Sequence, residues 1–186
     1  MLDLQLIALI KSNQNLNLDQ TMLGSLLAKE FEAEIGTTEA MLALVPADKL
    51  DWQPHTKSMT LAKLAGHVAE IAGWPKFCLD TEEVDFGTQP WESPKASDGA
   101  GFVKIVADFA LVALPALKAT EDESFLDERW VMKYHGQVIM DFTKYEAIRH
   151  SFAQMIHHRA QLGVYLRLLD IPIPGSYGPS ADSQNM

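Results

Sequence analysis

The chain has one cysteine, Cys78, in 186 residues. A lone thiol cannot form an intramolecular disulfide framework, which suits a reducing compartment, and Cys78 reads as a small buried hydrophobe. Positive charge is also scarce. Fifteen Lys and Arg against 25 Asp and Glu give a formal charge of −10 and a pI near 4.9. Phosphate backbones need a positive surface, so nucleic acid is not an expected partner. No uninterrupted apolar run approaches the ~20 residues that span a bilayer. Asp3 stands where a signal peptide carries positive charge, so neither a membrane partner nor export is expected and the cytoplasm is the expected location. The sequence contains no internal repeat and no low-complexity tract. Its 47% hydrophobic and 22% charged residues describe one globular domain with a sizeable core.

Residues 1–18 read as an N-terminal extension: Leu2, Leu6, Leu9 and Ile10 at helix-like spacing, then an asparagine-rich link from Asn13 to Asn17. From Asp19, a candidate N-cap, to Leu44 the apolar spacing predicts a first long helix, ended by Pro46. Ser58 or Thr60 can cap a second helix running to Cys78. A loop over 80–101 follows, of the length that often covers a site; Trp91 is part of that cover or a surface-packing aromatic. Phe102–Leu117 predicts a third helix, which Pro115 kinks or ends. Two β-prone runs within Arg129–Met140 flank His135-Gly136 and predict a hairpin, with His135 in its turn. Phe142–Asp170 predicts the fourth and longest helix, stopped by Pro172 and Pro174, and a turn-rich tail packs through Tyr177. The expected fold is all-α, a four-helix bundle over 19–182 with a small β-hairpin before the last helix, and 183–186 trailing.

Three of the six histidines lie between His150 and His158. His150, Gln154 and His158 recur at four-residue steps and share a helix face, whereas His157 points about 100° away. Imidazoles one turn apart suit a transition metal but do not complete a site. On the second helix, His67 shares a face with Leu64, Ile71 and Trp74. It is either a core histidine satisfied by a neighbour or a ligand aimed inward. Glu30, Glu34 and Glu70 read as solvated helix carboxylates, with an inward orientation as the alternative. Cys78 has only Lys76 as a basic neighbour, so no cysteine nucleophile is expected.

The segment Trp52-Gln53-Pro54-His55-Thr56-Lys57-Ser58-Met59-Thr60-Leu61 leading to His67 resembles the DinB-like family of metal-binding four-helix bundles. So does Phe152 to Leu162, with its His-His-Arg-Ala-Gln-Leu run. The likeness continues from Tyr165-Leu166-Arg167 through Pro172 and Pro174 to Tyr177-Gly178-Pro179-Ser180-Ala181-Asp182, and covers residues 20 to 182. It implies a metal site of one histidine from the second helix and two residues four apart on the fourth: His67, Gln154 and His158. Gln154 departs from the histidine or carboxylate usual there. A neutral amide oxygen is a weaker ligand for Zn²⁺ or Ni²⁺ than imidazole. It either leaves positions open, as a catalytic site does, or marks a site that has lost its metal. His150 could replace it only if the helix turned its face. His157 reads as a residue behind the ligands or a helix contact, and Arg159 as a helix-surface pair partner.

The first functional expectation is therefore an enzyme acting on a small molecule by thiol transfer or hydrolysis at a divalent transition metal. Zinc or nickel leads, with iron or manganese next. The resemblance includes transferases and isomerases that use bacillithiol or mycothiol, so a low-molecular-weight thiol is the implied cosubstrate. The second expectation is a non-catalytic, metal-responsive or stress-associated module with a relaxed site. A homodimer through apolar faces of the first and third helices is expected. A purely structural bundle is the third.

Overall fold

Leu27, Phe31, Ile35, Thr38 and Leu42 recur at steps of three and four and are all buried, which winds Leu23–Leu42 into helix α1 with one face inward. In this computed structural model the described residues are 23–88, 91–120, 124 and 127–183. The N-terminal extension, the Asp19 cap and residues 184–186 of the tail lie outside them. After Pro46 a 3₁₀ turn, Ala47–Lys49, leads into the Trp52–Thr60 segment. That segment is tied to the last helix: Trp52 meets Tyr165 edge to face at 5.7 Å, and Tyr165 Oη donates to the Met59 carbonyl at 3.2 Å.

The expected second helix is two helices. Thr60 caps α2, Leu61–Ile71, by accepting from the Lys63 amide, and α3 is Trp74–Asp80. Pro75 has no N–H to bond back to Ile71, so the chain must restart, with proline in the favoured first turn. Gly73 at the break passes so close to Phe109 that a Cβ there would stand 2.8 Å from its ring. Cys78 is fully buried, and desolvation pushes its thiol up to about 12, as befits an inert core thiol.

The covering loop contributes a short strand, β1 (Glu83–Asp85), which pairs in parallel with β2 (Arg129–Tyr134); β2 pairs antiparallel with β3 (Gln137–Thr143). The expected hairpin is thus part of a three-stranded sheet. His135 and Gly136 both have positive φ, 49° and 78°, the two-residue turn that matches strand twist. His135 occupies that turn in solvent, as expected.

Helix α4 spans Gly99–Lys118, capped by the Asp98 carboxylate accepting from Gly101 N, and Pro115 lies inside it without ending it. By length and composition α4 is apolar enough to cross a bilayer, although charged residues interrupt its apolar run. It nevertheless carries a Lys104–Asp108 ion pair, and its buried residues, among them Phe102, Val106, Ala110, Ala113 and Leu117, form one stripe, as in a helix packed on neighbours. Helix α5, Lys144–Leu168, opens with a capping box: Thr143 Oγ1 accepts from Glu146 N, and the Glu146 carboxylate accepts from Thr143 N. The described residues are mostly helical, five α-helices with one small sheet. α1 packs on α4 and α5, and α2 and α3 pack on both of the same helices. The buried stripe of α5 runs Ile148, Phe152, Met155, His158–Arg159, Leu162, Leu166, so its polar members fall in mid-core.

Candidate metal centre

Adjacent positions on α5 point about 100° apart, and here they serve two different neighbours. His158 faces α2, where its ring centre lies 4.4 Å from that of His67 at an interplanar angle of 72°. Arg159 faces α1. Two imidazoles sharing an ion at the usual N–metal length of about 2.0–2.1 Å have ring centres about 4.5 Å apart at a right angle and about 5.2 Å at the tetrahedral angle, slightly wider than the separation here.

Each histidine is held by the residue three positions on, its neighbour one turn along. His67 Nδ1 bonds Glu70 Oε1 at 2.5 Å, and His158 Nδ1 bonds Gln161 Oε1 at 2.8 Å. Glu70 is only 4% exposed. Its second oxygen accepts from the Trp91 indole N–H at 2.8 Å. The loop after β1 therefore does cover the site, and Trp91 belongs to that cover. Close approach makes this work: a Cβ on Gly66 would stand 2.4 Å from the Pro94 carbonyl oxygen. A carboxylate behind a histidine fixes tautomer and ring orientation and raises its basicity, as it does behind metal-bound imidazoles.

Gln154 completes the cluster. Its Oε1 lies 3.0 Å from His158 Nε2, while its Nε2 faces His150 Nε2 at 3.3 Å. Gln161 likewise directs Nε2 to His157 at 3.1 Å, leaving its oxygen for His158. Both nitrogens of His158 thus face amide oxygens, yet a neutral imidazole carries one N–H. With that proton on Nδ1 toward Gln161, the Nε2 lone pair is left for a donor, which a cation, a second proton or the N–H of a turned Gln154 amide would supply. A second proton is disfavoured. Burial holds His158 below the ordinary imidazole value, His67 and His157 add to the effect, and only Gln161 and Glu70 oppose it. Among the described residues no three His, Cys, Asp or Glu side chains gather as a cation site; beside the two imidazoles stands the Gln154 amide.

His150 does not join the pair; it sits against Phe142, ring centres 5.4 Å apart, and lines an adjoining cavity. Burial lowers its pKa as well. Because both native pKa values lie below the ordinary 6.5, the unfolded chain takes up these protons first as pH falls. Stability contributed by neutral His150 and His158 is present above about pH 6.5 and is lost as pH drops through their lowered native values. The melting temperature of metal-free protein is expected to fall between pH 7 and 5, and His158→Gln is expected to flatten that slope. An unchanged slope contradicts the burial argument.

The carboxylates distribute unlike their reading as solvated charges. Glu30 pairs with Arg149 at half-exposed positions, Glu34 is buried against Arg159, and Glu70 is buried behind His67. Arg159 is not a surface partner. It is 1% exposed, and its guanidinium donates to Glu34 Oε2 at 2.6 Å, the Glu34 carbonyl, Thr38 Oγ1 and Tyr177 Oη. Sequence reasoning missed Glu70 and Gln161 as orienting groups. The repeated signal was histidine followed three residues later by an acceptor side chain, His67-x-x-Glu70 and His158-x-x-Gln161.

The DinB family model matches residues 13–185. The chain belongs to the DinB family. DinB-like proteins of solved structure share its fold. One from Bacillus subtilis superposes with a TM-score of 0.59 at 15% identity, covering 81% of this chain and 96% of its own. One from Bacillus cereus gives 0.60 at 15% identity over 81% and 95%. A putative DinB member from Exiguobacterium sibiricum gives 0.58 at 16% identity over 84% and 98%. No curated protein matches the sequence. At such identities the likeness carries the DinB fold; the chemistry must come from this chain's own residues.

Proposed function

We propose that this DinB-family protein is a metal-dependent enzyme that transfers a low-molecular-weight thiol to a small molecule, or hydrolyses it, at a divalent ion held by His67, Gln154 and His158. Zinc or nickel fits this imidazole-rich donor set, with iron or manganese next. The observation that carries the reading is the Nε2–Oε1 approach of 3.0 Å between His158 and Gln154. Two donors on one ion at about 2.1 Å stand about 3.0–3.4 Å apart, so a shared cation fits this spacing, with the His67 ring 4.4 Å from that of His158 as the second imidazole.

When bound, such an ion acts as a Lewis acid that lowers the pKa of a water or thiol it meets. The chain's own groups supply the rest. Glu70 fixes the Nδ1 proton of His67 and so turns its Nε2 to the site. Gln161 does the same for His158, and Trp91 holds Glu70 while limiting water from the loop side. Three neutral protein donors leave the ion's charge uncancelled, which favours an anionic nucleophile beside it.

Protein purified without an affinity tag is expected to carry near-stoichiometric metal by mass spectrometry, or to take up Zn²⁺ or Ni²⁺ on addition, and then to support transfer from bacillithiol or mycothiol to small electrophiles. Restoring imidazole with Gln154→His is expected to tighten Zn²⁺ binding by about tenfold or more. A protein that neither carries nor takes up these ions overturns the proposal and favours a non-catalytic module. We also propose a cytoplasmic homodimer. Leu111, 74% exposed, and Val112 leave an uncovered apolar face on α4 that suits a second copy. A monomeric species in sedimentation velocity would count against it.

A further inference from the structure

The cavity beside the histidine pair has about 230 Å³ of space. Its walls are Ile71, Trp74, Phe86, Met132 and Met140, and its polar end is His67, His150, Ser151 and Gln154. Each wall comes from a different place in the chain: Ile71 ends α2, Trp74 begins α3, Phe86 follows β1, and the two methionines face each other across β2 and β3. The sheet, which the histidine cluster does not need, is what closes this space.

Shape and chemistry limit the occupant. An apolar cavity of about 150 Å³ holds benzene, so this one has room for one substituted six-membered ring and little more. Trp74 is braced by Phe86, Trp91 and Trp130, with ring centres 6.0, 5.3 and 6.2 Å away. An aromatic wall fixed from three sides is a preorganised stacking surface. Met132 and Met140 supply soft, adaptable thioethers that favour aromatic contacts. Among the described residues no Lys, Arg, Asp or Glu lines the cavity, and the chain carries a net −10. A carboxylate or phosphate entering it would lose water and meet no protein cation.

We propose that this cavity binds an uncharged molecule built on one aromatic ring, with a single polar substituent directed to the His67–Gln154 end. The ring lies between Trp74 and the methionine pair, and the substituent takes hydrogen bonds from the polar end. The identity of the substrate class rests on the metal-site reading for where the molecule reacts, and not for its binding.

The test uses the full-length protein kept metal-free by a chelator, so that no bound cation can hold a carboxylate, with its methionine methyl groups labelled with ¹³C and titrated with benzyl alcohol, benzoate and cyclohexanol. Benzyl alcohol is expected to shift the Met132 and Met140 methyl signals saturably, assigned through Met132→Leu and Met140→Leu. Benzoate is expected to bind at least about tenfold more weakly, because its charge must be desolvated without a partner. Cyclohexanol is expected to bind more weakly than benzyl alcohol, for want of a stacking face. Met140→Trp is expected to fill the space and remove calorimetric binding of benzyl alcohol, with an unchanged melting temperature showing that the variant is folded. The methyl titration decides the matter if that variant does not fold. Absence of a saturable shift, equal binding of benzoate, or benzyl alcohol binding unchanged in folded Met140→Trp would overturn the inference. Ring binding without uptake of Zn²⁺ or Ni²⁺ would sink the metal reading and leave the cavity assignment standing; metal uptake without ring binding would do the reverse.

Discussion

In the His158→Ala protein, bound metal is expected to fall to background and Zn²⁺ affinity to drop by more than about 100-fold. Residues that only orient a metal-bound histidine already cost about 10–100-fold when changed, and His158 would be a donor itself. His67→Ala is expected to do the same, because the two rings, 4.4 Å apart, come from different helices and neither helix supplies the pair alone. Glu70→Gln gives the intermediate case. It keeps an oxygen for His67 Nδ1 but loses the charge behind the ring, so affinity is expected to fall by about 10–100-fold. His150→Ala is expected to leave metal uptake unchanged, since His150 reaches only the amide nitrogen of Gln154. Calorimetric titration with Zn²⁺ on the four variants checks this order. Wild-type affinity in His158→Ala would show the site to be misplaced, and loss in His150→Ala would move the third donor from Gln154 to His150.

Arg159→Ala is expected to destabilise the protein by about 3–5 kcal/mol, because it leaves the buried Glu34 carboxylate without its cation. For a chain of this length that corresponds to a fall in melting temperature of roughly 6–20 °C. The loss spreads beyond one ion pair. The guanidinium also satisfies the Glu34 carbonyl and Thr38, and through Tyr177, whose hydroxyl donates to Glu34 Oε1 at 2.7 Å, it holds the tail on α1. Replacing both charges with apolar groups, Glu34→Leu with Arg159→Met, is expected to recover much of the loss, since a buried pair gains little over hydrophobic packing. Zn²⁺ affinity is expected to survive in the double variant, because Arg159 faces α1 and the histidines face α2. A melting temperature within a degree of wild type for Arg159→Ala would contradict this account.

Much of the candidate site's arrangement was legible in the one-dimensional pattern. Helical spacing alone placed His158 and Gln154 on one face of α5, and the apolar stripe of α2 placed His67 inward. The resemblance joined the two helices. What it did not supply was the support behind them. Glu70 reads as solvated because buried carboxylates are rare. Its burial depends on Trp91 and Pro94 crossing α2, a contact made by a loop whose path no local pattern encodes. Arg159 was misjudged for the same reason: nothing near it in sequence announces Glu34, 125 positions earlier.

Some departures were readable in principle. Pro75 lacks the N–H that a continuous helix from Thr60 to Cys78 would need, so the break at Gly73 was implied by composition. β1 was not. Three residues have no periodicity of their own, and Glu83–Asp85 becomes a strand only because β2 offers it an edge 48 residues later, Glu83 opposite Val131.

By itself the sequence determined the helical character, the hairpin turn at His135-Gly136, the family resemblance and the residues that can act as donors. Each of these follows from short-range spacing, turn chemistry and side-chain type, which the chain carries at every position. The tertiary structure decided which donors meet, which carboxylates lose their water and which aromatic and methionine side chains enclose a cavity. Those outcomes depend on distances between segments far apart in the chain, and only the packed core sets them.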